Sequence, residues 1–120
     1  MPLISIVDDD ESVRNALKSL IDSVGFRAQV FDSGEKFLNS PYLSQTDCLI
    51  ADVRMPGMSG LELQDRLSAA GRSIPIVFIS AHDDNEARAR GLRAGAIDFL
   101  QKPFSEDSLL GAISVCLDKS

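Results

Sequence analysis

Three short apolar runs in this chain each break off at a charged side chain. Ile4 to Val7 run into Asp8, Asp9 and Asp10. Cys48 to Ala51 run into Asp52. Ile97 to Gln101 run into Lys102 and Pro103. Apolar runs of this length, with few polar positions inside them, predict strands buried on both faces, as in parallel sheets. Parallel strands deliver their last side chains to one edge of the sheet, and that edge is where open α/β folds bind ligands. Carboxylates gathered there with an ammonium suggest metal-assisted phosphate chemistry.

Helical segments separate the runs. Val13, Ala16, Leu17, Leu20, Ile21 and Val24 form one face of a helix from Glu11 that stops at Gly25. Phe26 to Phe31 predicts a short strand, and Ser33 to Asn39 a short helix with Phe37 and Leu38 inward. Ser40-Pro-Tyr is a loop. A strand follows over Asp47 to Asp52, then a turn-rich loop from Met55 to Gly60. Ser59 is placed to cap a helix carrying Leu61, Leu63 and Leu67 that ends near Gly71. Ile74 to Ile79 is the fourth strand, with Pro75 early, where a missing donor is tolerable. Asp84 to Ala94 is a helix closed by Gly95, Ile97 to Gln101 the fifth strand, and Ser105 or Glu106 opens a last helix with Leu109, Leu110, Ile113, Cys116 and Leu117. Five strand–helix units imply a parallel sheet with helices on both faces.

With 120 residues the chain fits one domain with a real core. A net charge of -6 argues against direct nucleic-acid binding, which calls for a basic face. No apolar stretch approaches the roughly 20 residues of a membrane helix, and the N-terminus lacks a basic secretory n-region. Cys48 and Cys116, in a strand run and a helical run, are expected to be buried free thiols, which fits a reducing, cytoplasmic compartment.

Taken singly, the strand-end groups are ambiguous. Asp8 and Asp9 could form a solvated acidic loop, with Asp10 capping the first helix. As neighbours they repel each other, a cost that a hard divalent cation removes. Asp52 could be a ligand, a nucleophile or a cap. Ser80 could cap a turn or bond a phosphoryl oxygen. Lys102 could be a surface residue at a turn. Together, four strands would end in the groups that phosphoryl transfer uses: metal-holding acids, a carboxylate nucleophile, a hydroxyl donor and a cation.

Val7-Asp8-Asp9-Asp10, Asp52-Val-Arg-Met-Pro-Gly-Met-Ser-Gly60, Ile79-Ser80-Ala81, Gly95-Ala-Ile-Asp-Phe99 and Lys102-Pro103-Phe104 resemble the response-regulator receiver domains of two-component signalling, nearest to the FixJ-like group. The resemblance covers essentially the whole chain. It implies a flavodoxin-like five-stranded parallel sheet of order 2-1-3-4-5 flanked by five helices. It implies a phosphorylation-activated switch rather than an enzyme in its own right, receiving a phosphoryl group on Asp52 from a sensor histidine kinase or phosphotransfer protein. Asp9 would bind Mg²⁺, Asp8 would help directly or through water, and the Arg54 backbone carbonyl would complete the ligand set with Asp52. Lys102 and Ser80 would bond the phosphoryl group. Phe99 would move inward with Ser80, changing the surface of the fourth helix, fifth strand and last helix, on which phosphorylated chains could pair. Lys102–Pro103 would be a cis peptide.

Arg54 and His82 lie two residues past Asp52 and Ser80, positions that flank the phosphoryl group in this family. For His82 a surface loop residue competes with a pH-dependent influence on hydrolytic water. FixJ-like proteins continue into a helix-turn-helix output domain, and residues 1–120 encode only the receiver, so any contact with DNA would run through a segment outside this sequence. Three other readings compete. A haloacid-dehalogenase-like phosphatase calls for an acid two residues after its nucleophile, where this chain has Arg54. A flavodoxin-like cofactor binder calls for a hydroxyl- or glycine-rich phosphate loop where this chain has Asp8-Asp9-Asp10. A degenerate receiver acting only as a binding module would lack the acceptor or the lysine.

Overall fold

The computed structural model describes residues 1–81 and 83–119. Its strands are β1 (Leu3–Val7), β2 (Arg27–Phe31), β3 (Cys48–Asp52), β4 (Ile76–Ser80) and β5 (Asp98–Gln101). Its α-helices are α1 (Glu11–Ser23), α2 (Gly34–Leu38), α3 (Gly60–Ala69), α4 (Asn85–Arg93) and α5 (Glu106–Lys119). All strands are parallel, in the order β2-β1-β3-β4-β5 that the sequence and its resemblance predict.

The central strands β1, β3 and β4 are buried at every position, which is why their sequences are continuous rather than alternating. Their side chains still alternate in direction and feed two cores. Ile4, Ile6, Cys48, Ile50, Val77 and Ile79 pack with Leu17, Ile21, Leu109 and Ile113 of α1 and α5. Val7, Leu49, Ala51, Phe78 and Phe99 pack with Phe37, Leu63, Leu67 and Ala87 of α2, α3 and α4. The chain runs leftward from β1 to β2 and rightward thereafter. With one-handed crossovers, that reversal places α1 on the opposite face from α2–α4.

Some boundaries move inward from the sequence reading. Phe26, Ile74 and Ile97 lie just outside β2, β4 and β5, although each packs against the core. Pro75 thus precedes β4, and its carbonyl accepts from the Leu49 amide. A 3₁₀ turn over Leu43–Gln45 follows the Ser40-Pro-Tyr loop. Val24 and Ala16 are exposed rather than part of the buried face of α1. Cys48 and Cys116 are both buried free thiols, and their mutual contact and burial push the Cys48 thiol far up.

Helices α1, α3 and α4 each start on a side-chain cap just beyond the C-terminal ends of the strands. Asp10 caps α1 through the Ser12 amide, Ser59 forms a capping box with Glu62, and Asp84 caps α4 through the Ala87 amide. Gly60 is required where α3 begins, because a Cβ there would sit 2.3 Å from the Asp52 carbonyl oxygen. That close approach packs the first turn of α3 against the end of β3.

Candidate functional site

The strand order reverses between β1 and β3, which opens a crevice at their C-terminal ends. Asp8 follows the last residue of β1 and Asp52 is the last residue of β3. Asp8, Asp9 and Asp52 each offer a carboxylate oxygen, and these atoms lie within 4.8 Å of one another. Asp8 is wholly buried and Asp52 nearly so, while Asp9 is exposed at the mouth.

Lys102 enters from the end of β5. Its amide donates to the Ser80 carbonyl at 2.6 Å, which ties the ends of β4 and β5 together. Its ammonium donates to Asp8 Oδ2 at 3.0 Å and stands 3.7 Å from Asp52 Oδ2. Lys102–Pro103 is cis. Asp8 Oδ1 accepts the Asp10 amide at 2.9 Å, and Arg14 of α1 donates to the Asp8 carbonyl at 2.8 Å. The acidic loop after β1 is therefore fixed from the sheet side and from α1.

Three carboxylates face one nearby ammonium, and the imbalance registers on Asp52. Burial, and then the charge of Asp8, push its carboxyl up to about 6, against the opposing pull of Lys102 and of the Arg54 amide. A crowded set of hard oxygen donors, one of them raised by its neighbour's charge, suits a small divalent cation such as Mg²⁺. The donor set fits the ion that the resemblance implies.

Ser80 ends β4 fully buried. It lies two residues beyond Phe78, and Phe78 pairs with Phe99 across the β4–β5 ladder, so all three belong to the face covered by α3 and α4. Phe99 is 4% exposed, with its ring 6.3 Å from that of Phe78. The Phe99 ring thus already lies within the core in this structure. His82 lies outside the described residues.

Arg54 meets the site through its main chain. Its amide donates to Asp52 Oδ1 at 3.3 Å, while its guanidinium pairs with Asp84 at 2.5 Å. Sequence reasoning missed three partners: Arg14 on Asp8, Asp84 on Arg54, and Arg88, which donates to the Phe99 carbonyl at 3.3 Å and lies 5.9 Å from its ring centre. Asp84 had a usable signal, an acidic residue just before a helical segment. Arg14 and Arg88 had none, since long side chains on exposed helix faces choose partners only in three dimensions.

A doubly wound sheet with an acidic pocket at its switch point, a buried strand-end carboxylate and a lysine across from it defines an aspartate-centred receiver module. The chain belongs to the response regulator receiver domain family, whose model matches residues 4–114. It is 50% identical over 115 residues to the response regulator protein TmoT of Ectopseudomonas mendocina, covering 96% of this chain and 52% of that protein. Among solved structures it is similar to the response regulator StyR, at 49% identity and a TM-score of 0.92, covering 98% of this chain and 60% of that one. It also superimposes on FixJ-N at 33% identity and a TM-score of 0.90, covering 100% and 96% of the two chains. The chain spans about half the length of the curated relatives it matches. It is a receiver domain of the two-component response regulators, a phosphorylation-dependent signalling module rather than a classical enzyme. No described helix is long and apolar enough to cross a membrane.

Proposed function

We propose that Asp52 is the phosphoacceptor and that the chain catalyses its own phosphorylation with Asp8, Asp9, Lys102 and Ser80. A carboxylate oxygen of Asp52 attacks phosphorus in the phosphohistidine of a sensor histidine kinase or phosphotransfer protein. The new P–O bond forms as the P–N bond breaks, its electron pair leaving with the imidazole nitrogen, which takes up a proton. Asp8, Asp9, Asp52 and the Arg54 carbonyl would hold Mg²⁺, which would supply charge neutralisation for the phosphoryl oxygens. Lys102 stands beside Asp52 where a phosphoryl oxygen would come to lie, and Ser80 supplies a hydroxyl from the adjacent strand end. Water attack at phosphorus would return the carboxylate slowly.

One observation carries this reading. A nearly buried carboxylate at a strand end sits within ligand range of two other carboxylates and 3.7 Å from a lysine ammonium. Residues 1–120 would form the receiver module of a cytoplasmic regulator. Relatives such as TdiR of Thauera aromatica are named as transcriptional regulatory proteins, and any action on DNA would pass through a part beyond this module. The signal would leave through the surface of α4, β5 and α5, on which phosphorylated chains could pair.

The test is intact-mass and peptide mapping after incubation with acetyl phosphate and Mg²⁺. One phosphoryl group is expected on Asp52, and none in Asp52→Asn, whose amide is a poor nucleophile. Full labelling of Asp52→Asn moves the acceptor to Asp8 or Asp9.

A further inference from the structure

Arg54 touches two things at once. Its amide bonds the Asp52 carboxylate, and its guanidinium bonds Asp84, the cap of α4. Asp84 uses its other oxygen, Oδ1, to accept the Ala87 amide at 3.0 Å in the first turn of α4. The loop carrying Arg54 is itself pinned, because Met55 and Met58 are buried in the core beneath α3. The side chain can therefore change partner while its backbone stays in place. Arg54 and Asp84 both line an open cavity of about 550 Å³, so the guanidinium is not wedged.

The helix at the other end of this contact is lightly held. Its buried residues are Ala87 and Gly91. Among its other ties are a buried hydrogen bond from Gln64 of α3 to the Gly91 carbonyl at 3.0 Å and two arginine contacts, Arg88 to the Phe99 carbonyl and ring and Arg90 to Asp65 at 2.6 Å.

We propose that Arg54 is a positioning residue that couples Asp52 to α4. When Asp52 carries a phosphoryl group, the guanidinium leaves Asp84 for the phosphoryl oxygens, and the first turn of α4 loses its outer tether. This deepens the reading of Asp52 as acceptor and rests on it.

Charge decides the direction. An aspartyl phosphate replaces one carboxylate charge with roughly two, so the pocket's demand for a cation rises by about one unit. Lys102 stands between Asp8 and Asp52, so its single charge is shared between the two. The Arg54–Asp84 pair has 55% and 22% of its side chains exposed, and pairs this open to water contribute little. A phosphoryl group offers several acceptor oxygens to a planar guanidinium fork, a stronger and more directional partner than one exposed carboxylate. Asp84 keeps its bond to the Ala87 amide, so α4 is loosened rather than unwound. A bound group can bias a two-state element only through contacts that differ between the states, and Arg54 supplies one.

The experiment is amide NMR of the parent chain, Arg54→Ala, Arg54→Lys and Asp84→Asn, with Mg²⁺, before and after adding beryllofluoride as the phosphoryl mimic. Every variant retains a backbone carbonyl at position 54, and Asn is itself a good cap. In the parent, the mimic is expected to shift the amides near Asp52 and those of Asn85 to Arg88 together. In Arg54→Ala and Asp84→Asn, the α4 amides should start displaced toward the parent's mimic-bound positions. The mimic should then move them by less than half as much, and in Asp84→Asn, which leaves the pocket residues in place, the Asp52 region should respond as in the parent. Arg54→Lys, which keeps the charge, should fall between. If the α4 response in Arg54→Ala matches the parent while Asp52 responds, the coupling through Arg54 is wrong and the acceptor reading stands. If the parent shows no response near Asp52, the acceptor reading fails and takes this inference with it.

Discussion

Asp52 is placed where its charge opposes folding. Its carboxyl, at 3.8 in the ordinary state, is pushed up to about 6 by burial and by Asp8. A carboxyl raised on folding binds its proton more tightly in the folded chain. Its favourable contribution is therefore complete below about pH 4 and is lost as pH rises through about 6. Above that range the ionised group costs up to about 3 kcal/mol, less whatever solvent at the pocket mouth screens. In metal-free buffer at pH 7.5, Asp52→Asn should thus gain about 1–3 kcal/mol by urea denaturation, and the gain should shrink toward zero at pH 4. Equal gains at both pH values would place the effect outside the charge. Lys102→Ala should move the other way, losing about 1–2 kcal/mol at neutral pH, because Asp8 would stay buried without its ammonium. Stability forgone at a functional carboxylate is a common trade. At this scale the site was largely legible: Asp8, Asp9, Asp52, Ser80 and Lys102 each follow or end an apolar run, and the fold collects those ends. Arg54 was legible as a neighbour of Asp52, but its bond to Asp84 was not, because thirty residues separate the two.

At the scale of elements, α4 and α5 each carry a glycine inside the helix, for different reasons. Gly91 lies against the Phe78 ring, and a Cβ there would come within 2.9 Å of it. Gly111 has open space around its would-be Cβ. Alanine gains about 1 kcal/mol over glycine in a helix, so Gly111→Ala should stabilise by about 0.5–1 kcal/mol. Gly91→Ala has the same propensity gain but must displace a core ring, at about 1–3 kcal/mol, and should be destabilising on balance. Thermal melts of the two variants should move in opposite directions, and hydrogen exchange in Gly91→Ala should quicken first in α4. Two stabilised variants would mean that Phe78 yields freely. The sequence located both helices but could not separate the two glycines, since the distinction depends on which face meets a strand. The strand ends shifted for a related reason. Phe26, Ile74 and Ile97 are apolar because they pack on the core from the connecting loops, so the apolar run outlasts the hydrogen-bonded ladder.

At the scale of the molecule, the acidic pocket joins the ends of β1 and β3, two of the three central strands that feed both cores. Alternating strands and helices made the parallel sheet legible, and the resemblance supplied its order. The tie between the pocket and global stability was not legible, because it depends on how closely three carboxylates approach. A cation that binds only the folded chain stabilises it by mass action, by about 2.7 kcal/mol at one hundred times its dissociation constant. Calorimetric Tm should therefore climb with the logarithm of Mg²⁺ concentration once the site begins to fill, and EDTA should reverse the rise. Asp9 is the exposed member of the three and holds no described structural bond of its own, so Asp9→Ala should fold normally in EDTA. Its Tm without Mg²⁺ should equal or exceed the parent's, since one repelling charge is gone. Its response to Mg²⁺ should weaken, because the ion loses a charged ligand. A Tm response in Asp9→Ala as steep as the parent's, with the same onset concentration, would place the cation somewhere other than this pocket.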